Sequence, residues 1–187
     1  MGRLIYSVAA SLDGFISDAD GDYSWAMPSE EVIAALTADV AGVSTYLYGR
    51  RMYESMAGWE TAPAAAEQSP ESANWAATWR ATDKIVFSTT LPEVWTQRTR
   101  LERKLTPEVV AAAKAGSAGD LTVEGPTLAA EALRLDLVDV VELLWCPAVV
   151  GGGTPVLPSG VRLDLSLRRE RRFVNGMVQA TYDVAGH

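Results

Sequence analysis

LTVEGPTLAAEALRLDLVD, residues 121–139, is the stretch whose reading decides the fold. LTVEG has the apolar and β-branched composition of a buried strand. Gly125 then allows a turn that a Cβ would resist. Pro126 suits the first helical position, where its missing N–H is not needed. Leu128, Ala132 and Leu135 recur at helical spacing. VVELLWCPAVV, 140–150, follows as a second buried strand, broken late by Pro147. Two strands that are apolar throughout, joined by a helix, describe a parallel pair with a crossover.

The same alternation of strand and helix, without an internal sequence repeat, runs back toward the N-terminus. RLIYSVAASL, 3–12, is a continuous apolar run read as a strand ending near Ala10, with turn signals at Asp13-Gly14 and Asp20-Gly21. Val32, Ile33, Leu36 and Val40 place a helix after Ser29, closed by Gly42. STYLYG, 44–49, is a short strand, and GRRMYESMAGW restarts a helix. Residues 57–80, rich in Ala, Ser, Pro and Glu, show no sustained period and read as a long excursion. KIVFST, 84–89, is a strand. Thr106 caps and Pro107 opens a helix that runs to Gly116. The end differs: Leu163, Leu165 and Leu167 alternate with polar residues, and Asn175-Gly176 separates RRFV from MVQATYDV, the pattern of an antiparallel hairpin with a two-residue turn. The expected fold is α/β in three layers, with a mostly parallel central sheet and a C-terminal antiparallel hairpin, as one domain over 1–187.

Composition narrows the function. The chain has 187 residues, 48% of them hydrophobic, and a net charge of −8, which disfavours nucleic acid as a partner. No window reaches the ~18–20 uninterrupted apolar residues of a membrane span, so a soluble, cytoplasmic protein is expected. The lone cysteine, Cys146, lies in an apolar strand and reads as buried and inert. The lone histidine, His187, leaves no His-based triad and no Cys/His zinc set, so no metal is expected.

In such sheets ligands bind beyond the carboxyl ends of strands. Gly49-Arg50-Arg51 places two guanidiniums where a helix begins, a setting for an anion or simply a solvated helix start. Ser88 and Thr89 offer hydroxyls after the next strand. Gly125-Pro126-Thr127-Leu128 presents helix-start amides suited to a diphosphate. Gly151-Gly152-Gly153 lacks Cβ atoms, which lets a flat group lie against the chain or makes a tight turn. It is not a GxGxxG fingerprint, because it opens no helix.

Taken in order, SLDGFI, WAMPSEE, YLYGRRMYESM, KIVFSTTL, VEGPTLAAEALRLDLVD and PAVVGGGTPVLP resemble the reductase domain of bacterial riboflavin biosynthesis (the RibD C-terminal domain) and its stand-alone relatives, which share the dihydrofolate reductase fold. The resemblance covers nearly the whole chain. It implies NADPH as cofactor, hydride transfer to a pyrimidine- or pterin-like ring, and often a homodimer. It places Gly49, Arg50 and Arg51 at the cofactor phosphates, Ser88 and Thr89 at the adenosine 2′-phosphate, and Gly125, Pro126, Thr127 and Leu128 on the diphosphate. Ala9, Ala10, Gly151 and Gly152 fall beside the nicotinamide. Ser11, Asp13, Gly14, Trp25 and Glu30 fall on the substrate side, with 57–80 as a lid.

Trp25-Ala26-Met27-Pro28-Ser29-Glu30 also looks like the Trp-x-Leu-Pro-x-acid element of dihydrofolate reductases, which would make Glu30 a pterin-binding acid. Glu124-Gly125 stands where those enzymes carry Gly-Gly, Met52 replaces a Thr, and Trp145-Cys146 covers the region of a substrate-contacting Thr. These departures favour the riboflavin type. Neither H-x-E nor P-C-x-x-C, the zinc deaminase motifs, is present. Asp13 and Glu30 are the candidate proton donors, while Glu31 reads as a partner of the helix dipole. A true folate-type reductase and a non-catalytic NADPH sensor remain as alternatives. Arg168, Arg169, Arg171 and Arg172 read as charges protecting an edge strand, and Trp59, Trp75 and Trp79 as anchors of the excursion.

Overall fold

The computed structural model describes residues 2–66 and 68–185, so His187 lies outside them. The elements are β1 (Leu4–Ser11), β2 (Phe15–Ser17), α1 (Glu30–Asp39), β3 (Val43–Gly49), α2 (Arg50–Met56), α3 (Gly58–Thr61), α4 (Pro63–Ala66) and α5 (Pro70–Ala81). They continue with β4 (Asp83–Phe87), β5 (Thr99–Glu102), α6 (Pro107–Gly116), β6 (Asp120–Glu124), α7 (Pro126–Arg134), β7 (Val140–Cys146), β8 (Thr154–Pro155), β9 (Leu165–Arg172) and β10 (Val178–Val184). The main sheet runs β5-β4-β3-β6-β1-β7-β10-β9, and β2 pairs β8 separately. Strands from β5 to β7 are parallel, whereas β10 is antiparallel to both β7 and β9. This is the expected three-layer α/β architecture.

Alternation along the strands sends neighbouring side chains to opposite layers. Leu4, Tyr6, Leu121, Val123, Val141 and Leu143 pack under α6 and α7. On the other face Tyr46, Tyr48 and Val86 pack with Tyr53 and Trp79, and Val32 of α1 packs with Leu144, Cys146 and Phe173. Cys146 is buried, as its setting predicts.

Three expectations change. The excursion 57–80 contains α5, which has a Ser69/Ser72 capping box and buries Trp79 completely, so it is a layer of the core and no lid. Its Ala-rich sequence hides the period because one tryptophan carries most of the packing. Lys84 is nearly inaccessible; its Nζ donates to the carbonyls of Trp79 and Thr82 and lies over the Trp79 ring, which ties the end of α5 to β4. β5 was not expected, because TRLE has little strand character and forms a strand only against the open edge of β4. The terminal hairpin turns through three residues, Val174–Gly176, with Gly176 at φ 87° and Phe173 N donating to Met177 O at 2.9 Å.

The hairpin arginines are more than edge protection. Arg169 donates to Asp39 at 2.8 Å and to Glu142 at 3.3 Å, Arg171 donates to Asp39 at 3.2 Å, and Gln179 Nε2 donates to Asp39 at 2.9 Å. Asp39 closes α1, where a negative charge opposes the helix dipole; the guanidiniums compensate and clamp α1 to the sheet. Burial alone would raise the Asp39 pKa, but these donors hold it below its ordinary value. Replacing Asp39 with Asn takes the carboxylate from Arg171 and leaves Arg169 only Glu142, so urea unfolding at neutral pH should show a loss of about 1–3 kcal/mol.

Candidate functional site

The ends of β3 and β6 are adjacent, with Tyr48 opposite Glu124, and each strand passes straight into a helix. Gly125 makes its turn at φ 95°, a region open to glycine. A Cβ there would sit 3.5 Å from Met52 Cβ and 3.9 Å from Gly49 N, and one on Gly49 would sit 3.8 Å from Leu128 Cβ. The starts of α2 and α7 are therefore packed nearly backbone to backbone. Their first-turn amides, which lack partners within the helix, emerge at one edge of the sheet.

Arg50 is held across this edge: Nε donates to Glu54 at 2.8 Å and an Nη atom to Thr90 Oγ1 at 3.0 Å. Arg51 is exposed beside it. Ser88 Oγ accepts from the amides of Thr90 and Leu91, so its hydroxyl is spent closing the turn, while Thr89 is exposed. Arg103 donates to the carbonyls of Ser88 and Leu91. It is a cation at this edge that the sequence did not single out, because it follows the unrecognised β5.

Across β6, the ends of β1 and β7 carry two loops stitched together. Leu12 N donates to Ala148 O at 2.8 Å, and the Asp13 carboxylate accepts from Val150 N at 3.1 Å and Gly151 N at 2.7 Å. The Ser11 hydroxyl and then these amides hold the Asp13 carboxyl below its ordinary range. Asp13, a candidate proton donor, clamps the two loops through these bonds, and the same donors favour its charged form. Ala10 and Ser11 are both completely buried, and Ser11 Oγ accepts from Phe15 N, so neither presents surface to a ligand. Ala9 is half-buried against the cluster that contains Trp25. Gly151 and Gly152, at φ 77° and 154°, face open space, whereas a Cβ on Gly153 would lie 2.0 Å from Ser17 O. Gly14 turns at φ 87°.

Ser29 caps α1 by accepting from Val32 N, and Glu31 accepts from Val174 N at the hairpin tip. Glu30 is exposed on the first turn. Trp25 packs by its ring, and its Nε1 is buried with no protein acceptor.

Glu124 was missed. It lies on the face of β6 that it shares with Tyr48 of the neighbouring β3, with β1 on its other side. Desolvation pushes its carboxyl up to about 7, against a hydrogen bond from Thr122 Oγ1 at 3.1 Å. The available signal was an acid ending an otherwise apolar strand at the ligand edge. Among the described residues no group of His, Cys, Asp or Glu is arranged to hold a metal ion, and no helix is long and apolar enough to cross a membrane.

The family model of the RibD C-terminal domain matches residues 3–178. The chain belongs to this family. YyaP of Bacillus subtilis (strain 168) is 27% identical over 181 residues, 96% of this chain and 94% of that one. A Shewanella sp. PV-4 protein named for riboflavin biosynthesis superposes with a TM-score of 0.73 at 20% identity, over all of both chains. Dihydrofolate reductase from Enterococcus faecalis, solved with NADP(H), superposes with a TM-score of 0.60 at 14% identity, over 99% of this chain and 98% of that one. The fold is dihydrofolate reductase-like.

The raised Glu124 carboxyl has a consequence for stability. The native state keeps this proton between the ordinary carboxyl pKa and about 7 while the unfolded state releases it. Native stability therefore falls across that window as pH rises. Glu124→Gln should not share this fall, so the gap in urea midpoint between variant and wild type should widen from pH 4.5 to 7 and then level off.

Proposed function

We propose that the protein is an NADPH-dependent reductase that transfers hydride to a C=N or C=O bond of a small pyrimidine- or pterin-like ring. The observation that carries this reading is the pairing of two helix starts, through Gly49 and Gly125, beside Arg50 at adjacent strand ends. The residues fit a dinucleotide. Thr127 and Leu128 amides suit a diphosphate, and Arg50, Arg51 and Thr89 suit a 2′-phosphate. Arg103 braces the turn that carries Thr89. The open faces of Gly151 and Gly152 leave room for a flat ring near Ala9. Bound NADPH supplies the hydride.

The protein's share is positioning, exclusion of water and a proton. Glu124, whose carboxyl desolvation pushes up to about 7, is suited to act as a general acid at this strand end. Glu30, at the rim, is suited to orient the ring's N–H groups. Asp13 holds the two loops that would cover the nicotinamide. The same reading has the chain act as one domain in the cytoplasm, as a homodimer.

Fluorescence titration tests the cofactor assignment. NADPH should bind at least about tenfold tighter than NADH, and Arg50→Ala should remove most of that preference, about 1.4 kcal/mol per tenfold. Equal affinities in the wild type, or no binding, would overturn it.

A further inference from the structure

We infer that Thr90 and Arg50 form one phosphate-binding unit: the Thr90 hydroxyl fixes the guanidinium and gives its own proton to the 2′-phosphate of NADPH. The inference rests on the cofactor reading above and names the residue that makes the site prefer a phosphate to a free 2′-hydroxyl. Ser88, Thr89 and Thr90 follow β4, and the sequence pointed only to the first two. Ser88 is buried, and its oxygen accepts from the amides of Thr90 and Leu91 at 3.2 and 3.0 Å, so it shapes the turn from inside. Thr89 and Thr90 are both exposed on that turn. Thr90 is the one held against a fixed cation, because its Oγ1 accepts from an Arg50 Nη atom at 3.0 Å. A hydroxyl accepts and donates at once, so this bond leaves the Thr90 proton for a partner that is itself an acceptor.

Arg50 is left in a matching state. Its Nε donates to Glu54 at 2.8 Å and one Nη proton goes to Thr90, so the remaining Nη protons stay available. The exposed pair with Glu54 holds the side chain weakly when taken alone. The Thr90 bond adds a second anchor on a braced turn, where Arg103 donates to the carbonyls of Ser88 at 3.1 Å and Leu91 at 2.6 Å. A guanidinium fixed at two points gives up rotamer freedom before a ligand arrives, which lowers the cost of binding. The free Nη protons and the Thr90 O–H therefore stand side by side, and all are donors. A phosphate dianion uses several of them together, whereas a ribose hydroxyl has no charge to meet the guanidinium.

Titration of the whole protein with NADPH and with NADH tests this without requiring turnover. Thr90→Val keeps the branched shape and removes the hydroxyl; it should bind NADPH about tenfold more weakly and NADH within about twofold of the wild type. Thr90→Ser, which keeps the hydroxyl, should stay within about threefold of the wild type for both. In an Arg50→Ala background the same Thr90→Val change should cost several-fold less, because members of one unit are not additive. Equal losses for the two nucleotides would make Thr90 a structural part of the turn and overturn the inference. An unchanged NADPH affinity, a serine variant as weak as the valine one, or a full loss persisting without Arg50 would overturn it as well. A wild type that binds neither nucleotide, or does not distinguish them, overturns the cofactor reading itself and this inference with it.

Discussion

The close approach of backbone at Gly125 is the constraint on which the rest depends. Its positive φ lets β6 turn at once into α7, and its missing Cβ lets Met52 and Gly49 come near. Without that approach the starts of α2 and α7 would separate, and their unpaired amides would no longer converge on one edge. Parallel pairing of β3 with β6 brings the two junctions level, so sheet register and helix initiation serve a single arrangement.

The edge built around this junction is electrically divided. Toward β3, β4 and β5 stand Arg50, Arg51 and Arg103 with the helix starts; toward β1 and β7 stand Asp13, Glu30 and the acidic loop. Glu124 sits at the boundary, where desolvation raises its carboxyl, whereas the Ser11 hydroxyl and the Gly151 and Val150 amides lower that of Asp13. Two carboxyls at the ends of neighbouring strands are thus shifted in opposite directions by their surroundings, Asp13 by hydrogen-bond donors and Glu124 by desolvation. In our account the first half of the edge holds the cofactor's anions and the second receives the acceptor ring.

Much of this was legible where local chemistry acts alone. Thr106-Pro107 and Gly125-Pro126 announce helix starts, and both stand where expected. Ser29 caps α1 as its position suggests, and the departure of Glu31 from any ligand role is plain in its bond to Val174. What the sequence hid depends on partners remote in the chain. β5 exists because β4 offers an open edge, and α5 is held by the burial of Trp79 beside Tyr48, not by a regular apolar stripe. The Arg169 and Arg171 clamp requires knowing that α1 ends over the hairpin. Ala10 and Ser11, which the family resemblance placed among the ligand contacts, are both buried by the pleat and the loop. Glu124 escaped notice because an acid beside a glycine reads as a strand end, and only burial reveals its raised pKa.

The most direct test of the account is a crystal structure with NADPH bound. The account expects the diphosphate within hydrogen-bonding distance of the Thr127 and Leu128 amides, the adenosine phosphate on Arg50, and the nicotinamide ring over Gly151 with Glu124 below the acceptor space. A nucleotide bound away from this edge, or none at saturating NADPH, would contradict it.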